Sequence, residues 1–152
     1  MSPFLKLRSP ARPLPPLAPM SASRVTYLDS SALVKLVVAE PETPALRRYL
    51  RRRALRVSCG LARVEVVRAV WPQGPLAVAR SLRLLERVNL IALDDLLLDA
   101  AAALDAVSLR SLDAIHLAAA QTLGEDLEGL VTYDARMAEA ARELGPSVVA
   151  PS

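Results

Sequence analysis

Short apolar runs alternate along this chain with longer segments of helical period. Val25-Thr26-Tyr27-Leu28 is β-branched and aromatic and reads as a short buried strand, with Asp29 where it stops. Ser30 is a suitable helix N-cap, and Ala32, Leu33, Lys35 and Leu36 carry a helix to about Glu40, before Pro41. Thr43 as cap and Pro44 as first helical residue open a second helix, followed by a strand at Arg56-Val57-Ser58. Leu61 to Trp71 is a mostly apolar helix ended by Pro72. Pro75 to Arg87 is another, with Leu82 and Leu85 inward and Arg80, Arg83 and Arg87 outward. Leu90 to Leu93 reads as a strand, and Asp94 caps a helix from Leu96 to Val107. Ser111 caps a helix running to Leu123, which Gly124 ends. Gly129 to Tyr133 forms a strand, Asp134 opens a helix from Ala135 to Leu144, and Val148-Val149 is a last short strand. Strands that alternate with helices predict a three-layer α/β/α fold with a central parallel sheet.

With 152 residues and 53% hydrophobic content, the chain has the material for one domain with a sizeable core. Residues 1–23 contain six prolines and no helical or strand period. They are expected to be a disordered extension, with Met20 as an alternative start, and residues 24–152 to be the folded domain. The net charge of +3 comes from Lys6, Arg8 and Arg12; beyond residue 19 the chain has 16 basic and 16 acidic residues. The basic balance therefore says little about the domain's partner. No apolar run is long enough to span a bilayer, and the single Cys59 excludes an internal disulfide, so a cytoplasmic protein with no membrane part is expected. One cysteine and one histidine, His116, are too few for a zinc site.

The carboxylates carry the chemistry. Asp29 and Asp134 each follow a strand and precede a helix, so parallel strands would bring both to the same edge of the sheet. In open α/β folds that edge is where ligands bind. Asp113 lies in the first turn of a helix, and Glu65 lies inside the apolar segment 61–70 and is expected to be largely buried. Each has a plain alternative. Asp29 and Asp134 are also good helix caps, Asp113 a favourable first-turn charge, and Glu65 a partner for Arg68, although such a contact adds only ~0.2–0.5 kcal/mol. Four carboxylates at ~5–6 Å would repel by roughly 3 kcal/mol per pair at an effective dielectric of ~20, so a converged cluster takes up protons or divalent cations. Oxygen ligands select Mg²⁺ or Mn²⁺, the ions used for in-line hydrolysis of phosphodiesters.

Four segments then fall together. These are Val25 to Lys35, Ser58 to Ala69 around Glu65, Ser111-Leu112-Asp113-Ala114-Ile115-His116-Leu117-Ala118, and Val131-Thr132-Tyr133-Asp134. In order and spacing they resemble the four motifs of a PIN domain, most closely the VapC-type toxins of bacterial toxin–antitoxin pairs. The resemblance covers residues 24–150. It implies a metal-dependent endoribonuclease, the toxin of a type II pair, using Mg²⁺ or Mn²⁺. It also implies a homodimer and inhibition by a cognate VapB-type antitoxin. By the same resemblance Asp29, Glu65, Asp113 and Asp134 are the catalytic, metal-binding acids, with Ser31 and Thr132 in support. Cleavage would leave a 5′-phosphate and a 3′-hydroxyl.

Other residues weigh less. His116, three residues after Asp113, is expected to be a hydrogen-bonded structural histidine, and Trp71 and the tyrosines form no spaced stacking platform. Arg47, Arg48, Arg51 and Arg52, with Arg53 and Arg56, form the best basic patch, either a solvated face or a phosphate-tracking surface beside the acids. A non-catalytic PIN-like module binding RNA or protein is the alternative function, and it would be expected to have lost an acid. A phospho-acceptor receiver domain fits poorly, because Lys35 is misplaced for it.

Overall fold

The computed structural model describes residues 24–152; the expected extension 1–23 and the alternative start at Met20 lie outside them. The elements run β1 (Val25–Leu28), α1 (Ser30–Val37), α2 (Thr43–Leu50), β2 (Leu55–Cys59), α3 (Ala62–Val70) and α4 (Pro75–Leu85). They continue as β3 (Asn89–Ile91), α5 (Asp95–Ala102), α6 (Ser111–Gln121), β4 (Leu127–Val131), α7 (Ala135–Leu144) and β5 (Val148–Val149). All strand pairings are parallel, in the order β3-β2-β1-β4-β5. The three-layer architecture expected from the sequence is present.

Alternation along β1 and β4 splits the core between the two sheet faces. Tyr27 and Leu130 face α5, α6 and α7 with Leu97, Leu117 and Met137, while Leu28 and Val131 face α1 to α4 with Leu33, Leu46, Val66 and Leu85. The chain leaves β1 toward β2 and β3, then returns to the other side of β1 for β4 and β5. The order therefore reverses between β1 and β4. In open α/β sheets ligands bind beyond the carboxyl ends of the strands at such a point, and there Asp29 and Thr132 follow β1 and β4.

Several boundaries differ from expectation, each for a tertiary reason. Helix α1 stops at Val37, because the Thr43 hydroxyl donates to the Lys35 carbonyl at 2.8 Å and accepts from the Glu40 N–H at 2.9 Å, folding the segment back early. Engaged in that way, Thr43 does not cap α2; Glu42 stands at the N-cap position without a side-chain hydrogen bond to the helix. Helix α3 is not apolar all round: Ala62, Val66 and Val70 are buried at every fourth position, whereas Val64 is 62% exposed. Likewise α4 buries Ala77, Ser81 and Leu85 and leaves Leu82 half exposed. Helix α5 ends at Ala102, where Leu104, Ala106 and Leu109 pack against the core as a turn instead of a continued helix. Strand β4 stops at Val131, where its partners Leu28 and Val149 run out.

This division of the helices predicts unequal costs of truncation. Leu33→Ala, in the core behind Asp29, should cost about 2–5 kcal/mol. Leu82→Ala, on the open face of α4, should stay within about 0.5 kcal/mol of wild type. Urea midpoints of the two variants check the assignment, and equal losses would contradict it.

Candidate active site

Asp29 ends β1 and caps α1, the role the sequence had suggested for Ser30. Its N–H donates to the Val131 carbonyl at 3.1 Å, fastening it to the end of β4. Its side chain is 4% exposed, yet fully engaged. Oδ1 accepts the Ala32 N–H at 3.0 Å and the Ser31 hydroxyl at 2.6 Å, and Oδ2 accepts the Thr132 hydroxyl at 2.6 Å. The same hydroxyls reach onward: Ser31 Oγ accepts the Tyr133 N–H and Thr132 Oγ1 accepts the Asp134 N–H. Burial raises the Asp29 pKa, and the Ser31, Thr132 and Ala32 donors oppose that rise without cancelling it. Asp134 caps α7, accepting the N–H groups of Arg136 and Met137 on Oδ1. Both aspartates are therefore caps, and both stand at the carboxyl edge of the sheet.

Glu65 comes to this edge from α3, half-buried. Its Oε2 accepts the Ser30 hydroxyl and lies 2.6 Å from Nε2 of His116. His116 is buried on α6, one turn after Asp113, with both ring nitrogens in use. Nδ1 lies 2.8 Å from the Tyr27 hydroxyl and 3.6 Å from Cys59 Sγ. Burial acts to lower the His116 pKa, but the contacts with Cys59 and Glu65 outweigh it and raise it to about 10. Burial likewise acts to raise the Glu65 pKa, and the His116 and Ser30 hydrogen bonds bring it below its usual value. Histidine 116 is structural, as expected, but what it holds is one of the four acids.

Asp113, in the first turn of α6, is partly exposed. Burial, then the negative charges of Asp134 and Asp29, raise its pKa; His116 and Arg110 pull the other way. Asp113 thus lies within reach of the charges of both other aspartates. Among the described residues no three acids, histidines or cysteines already stand close enough to hold an ion together. In chemistry the set nonetheless fits a hard divalent cation: its donors are carboxylate oxygens, and a cation would offset the negative charges of Asp29 and Asp134 that face Asp113.

The basic patch is not beside these acids. The turn carrying Arg51, Arg52 and Arg53 leads into the start of β2, at the amino edge of the sheet, opposite Asp29. Arg53 pairs with Glu128 at 3.1 Å and stacks on Tyr49, and Arg56 donates to the Leu50 and Arg53 carbonyls, so both are built into the fold. Arg47, Arg48, Arg51 and Arg52 are exposed. Lys35 turns to Glu40, Glu42 and the Tyr133 ring, away from any receiver-like role at Asp29. Ser30 and the His116–Tyr27 pair were not singled out from sequence as site residues. The available signal was the spacing of His116 from Asp113, which puts both on one helix face.

The paired imidazole gives a pH prediction. The folded His116 pKa lies above its ordinary 6.5, so the stability it adds is fully present below about pH 6.5 and lost as pH rises through about 10. On the acid side the same contact is lost as Glu65 protonates. His116 is the only histidine, so its ring resonances report the titration directly by NMR. The midpoint should lie near 10 in wild type and well below that in Glu65→Gln. A wild-type midpoint at or below 6.5 would contradict a charged imidazole in this pair.

Comparison with known proteins shows the family. The family model described as "PIN domain" matches residues 26–143. Ribonuclease VapC46 of Mycobacterium tuberculosis is 56% identical over 126 residues, which cover 83% of this chain and 97% of that protein. Ribonuclease VapC35 of the same organism is 47% identical over 132 residues, covering 82% and 96%. Among solved structures, Mycobacterium tuberculosis VapC20, described as a sarcin-ricin loop cleaving toxin, superposes with a TM-score of 0.65. That match covers 83% of this chain and 99% of VapC20 at 16% identity, and so speaks to the fold alone. The chain belongs to the PIN-domain family and, within it, to the VapC type.

Proposed function

We propose that the protein is a metal-dependent endoribonuclease, the toxin of a type II toxin–antitoxin pair. The observation that carries this reading is the gathering of acids at the strand-order reversal: Asp113 feels the charges of Asp29 and Asp134, and Glu65 bonds Ser30, next to Asp29, and His116, one turn from Asp113. The names of the VapC relatives support ribonuclease activity. Asp29, Glu65, Asp113 and Asp134 would hold Mg²⁺ or Mn²⁺. When bound, such an ion polarises the scissile phosphate and makes water more acidic. Ser31 and Thr132 act on Asp29: their hydroxyls fix its carboxylate and tie it to the 132–134 backbone, so the acids of β1 and β4 keep one geometry. Hydrolysis would break the bond from phosphorus to the 3′ oxygen, leaving a 5′-phosphate and a 3′-hydroxyl.

RNA, a VapB-type antitoxin and a second copy of the chain are the proposed partners. Trp71, Leu76 and Leu82 around α4, and Leu96 and Leu98 on α5, supply exposed apolar surface that supports protein partners. The exposed Arg47, Arg48, Arg51 and Arg52 would meet RNA well beyond the scissile bond, because they approach the opposite edge of the sheet. No helix of the described residues is long and apolar enough to cross a membrane, and a cytoplasmic location accords with the proposed RNA substrate.

The test is cleavage of total cellular RNA by the purified, partner-free protein with Mg²⁺ or Mn²⁺. Discrete fragments should form and vanish with EDTA. Asp29→Asn keeps an oxygen for the Ala32 N–H and should keep the fold, but lose at least about 100-fold in rate, beyond what losing an outer partner of a metal ligand costs. No cleavage with either metal would instead favour the non-catalytic binding module.

A further inference from the structure

We infer that His116 is a positioning residue for Glu65: its imidazole, braced by Tyr27, clamps one carboxylate oxygen and leaves the other for a cation. The inference rests on the metal-nuclease reading above and adds to it a residue that touches neither metal nor RNA.

The geometry supplies each step. Ser30 Oγ and His116 Nε2 converge on Oε2 of Glu65, and they also approach each other at 3.2 Å. Two donors on one oxygen fix the carboxylate plane and leave Oε1 as the oxygen available to a ligand. The anchors come from the elements that carry the other acids. Ser30 is next in the chain to Asp29, and His116 is one helical turn from Asp113. Glu65 is therefore tied by one oxygen to both the β1–α1 corner and α6. Without these ties α3, whose outer face is open, would present a flexible glutamate to solvent.

Tyr27 completes the arrangement from behind. Its hydroxyl is 2.8 Å from Nδ1, and its ring meets the imidazole edge-on, with centroids 6.0 Å apart at 80°. With Tyr27 buried on the central strand, the imidazole is held at the nitrogen remote from Glu65. Nε2 carries a proton toward Glu65 whether the ring is neutral, with Tyr27 donating to Nδ1, or charged, with Nδ1 donating to Tyr27. The clamp does not depend on which form is present.

The test is Mn²⁺ binding to the partner-free protein without RNA, read as free Mn²⁺ by electron paramagnetic resonance. Wild type should bind, and Asp29→Asn should not; failure of wild type to bind would overturn the metal-site reading and this inference with it. Given wild-type binding, His116→Ala should weaken Mn²⁺ by about 10–100-fold, the usual cost of losing an outer partner of a metal ligand. His116→Gln, whose amide N–H reaches the place of Nε2, should recover most of that loss. In a Glu65→Gln background, His116→Ala should have no further effect on Mn²⁺. Lowered urea midpoints with wild-type Mn²⁺ affinity would reduce His116 to a core residue and overturn the inference. Should His116→Ala not fold, Tyr27→Phe decides: weakening by about threefold or more supports the clamp, and unchanged affinity overturns it.

Discussion

The burial of the Asp29 carboxylate at the end of the central strand is the constraint around which this domain is arranged. An ionised carboxylate cannot be taken out of water unless donors replace the water. Here the donors are an N–H of the helix it caps, a hydroxyl two residues on, and a hydroxyl from the end of the neighbouring strand. Each donor comes from a segment that must already be in place. The carboxylate consequently fixes how β1, α1 and the end of β4 meet, at the carboxyl edge of the sheet where the strand order reverses.

The remaining acids are handled differently. Glu65 is met by an imidazole and a hydroxyl, so its charge is compensated inside the protein. Asp134 spends one oxygen on the first N–H groups of α7. Asp113 has Arg110 and His116 to offset its surroundings, but burial and the two other aspartates prevail, and its pKa is raised. Negative charge is therefore least compensated at Asp113, while Glu65 is the acid whose direction is set by its own partners. A small hard cation placed among the acids would complete an electrostatic balance that the protein alone leaves incomplete.

Much of this was legible in the sequence, because the signals are local. A β-branched run that ends in aspartate before helix-forming residues identifies both β1–Asp29 and the approach to Asp134, and α7 runs over the residues its pattern predicts. What was not legible depends on tertiary placement. Val64 and Ala69 are apolar in type, yet α3 buries only every fourth residue, so the helix was read as more enclosed than it is. The arginines are visible as charge, but a turn that leads into a parallel strand belongs to the amino edge, away from the acids. His116 is visible as a helix neighbour of Asp113, whereas its contacts with Glu65 and Tyr27 join elements far apart in the chain.

If Asp29, Asp113 and Asp134 together receive a divalent cation, Asp113 must titrate in the field of the other two. The most direct measurement is the titration of Asp113 by carboxyl NMR on the labelled, partner-free protein, with and without Mg²⁺ and in Asp134→Asn. The Asp113 midpoint should lie above the ordinary 3.8, fall when Mg²⁺ is added and fall when Asp134 loses its charge. A midpoint at 3.8 that responds to neither would contradict this.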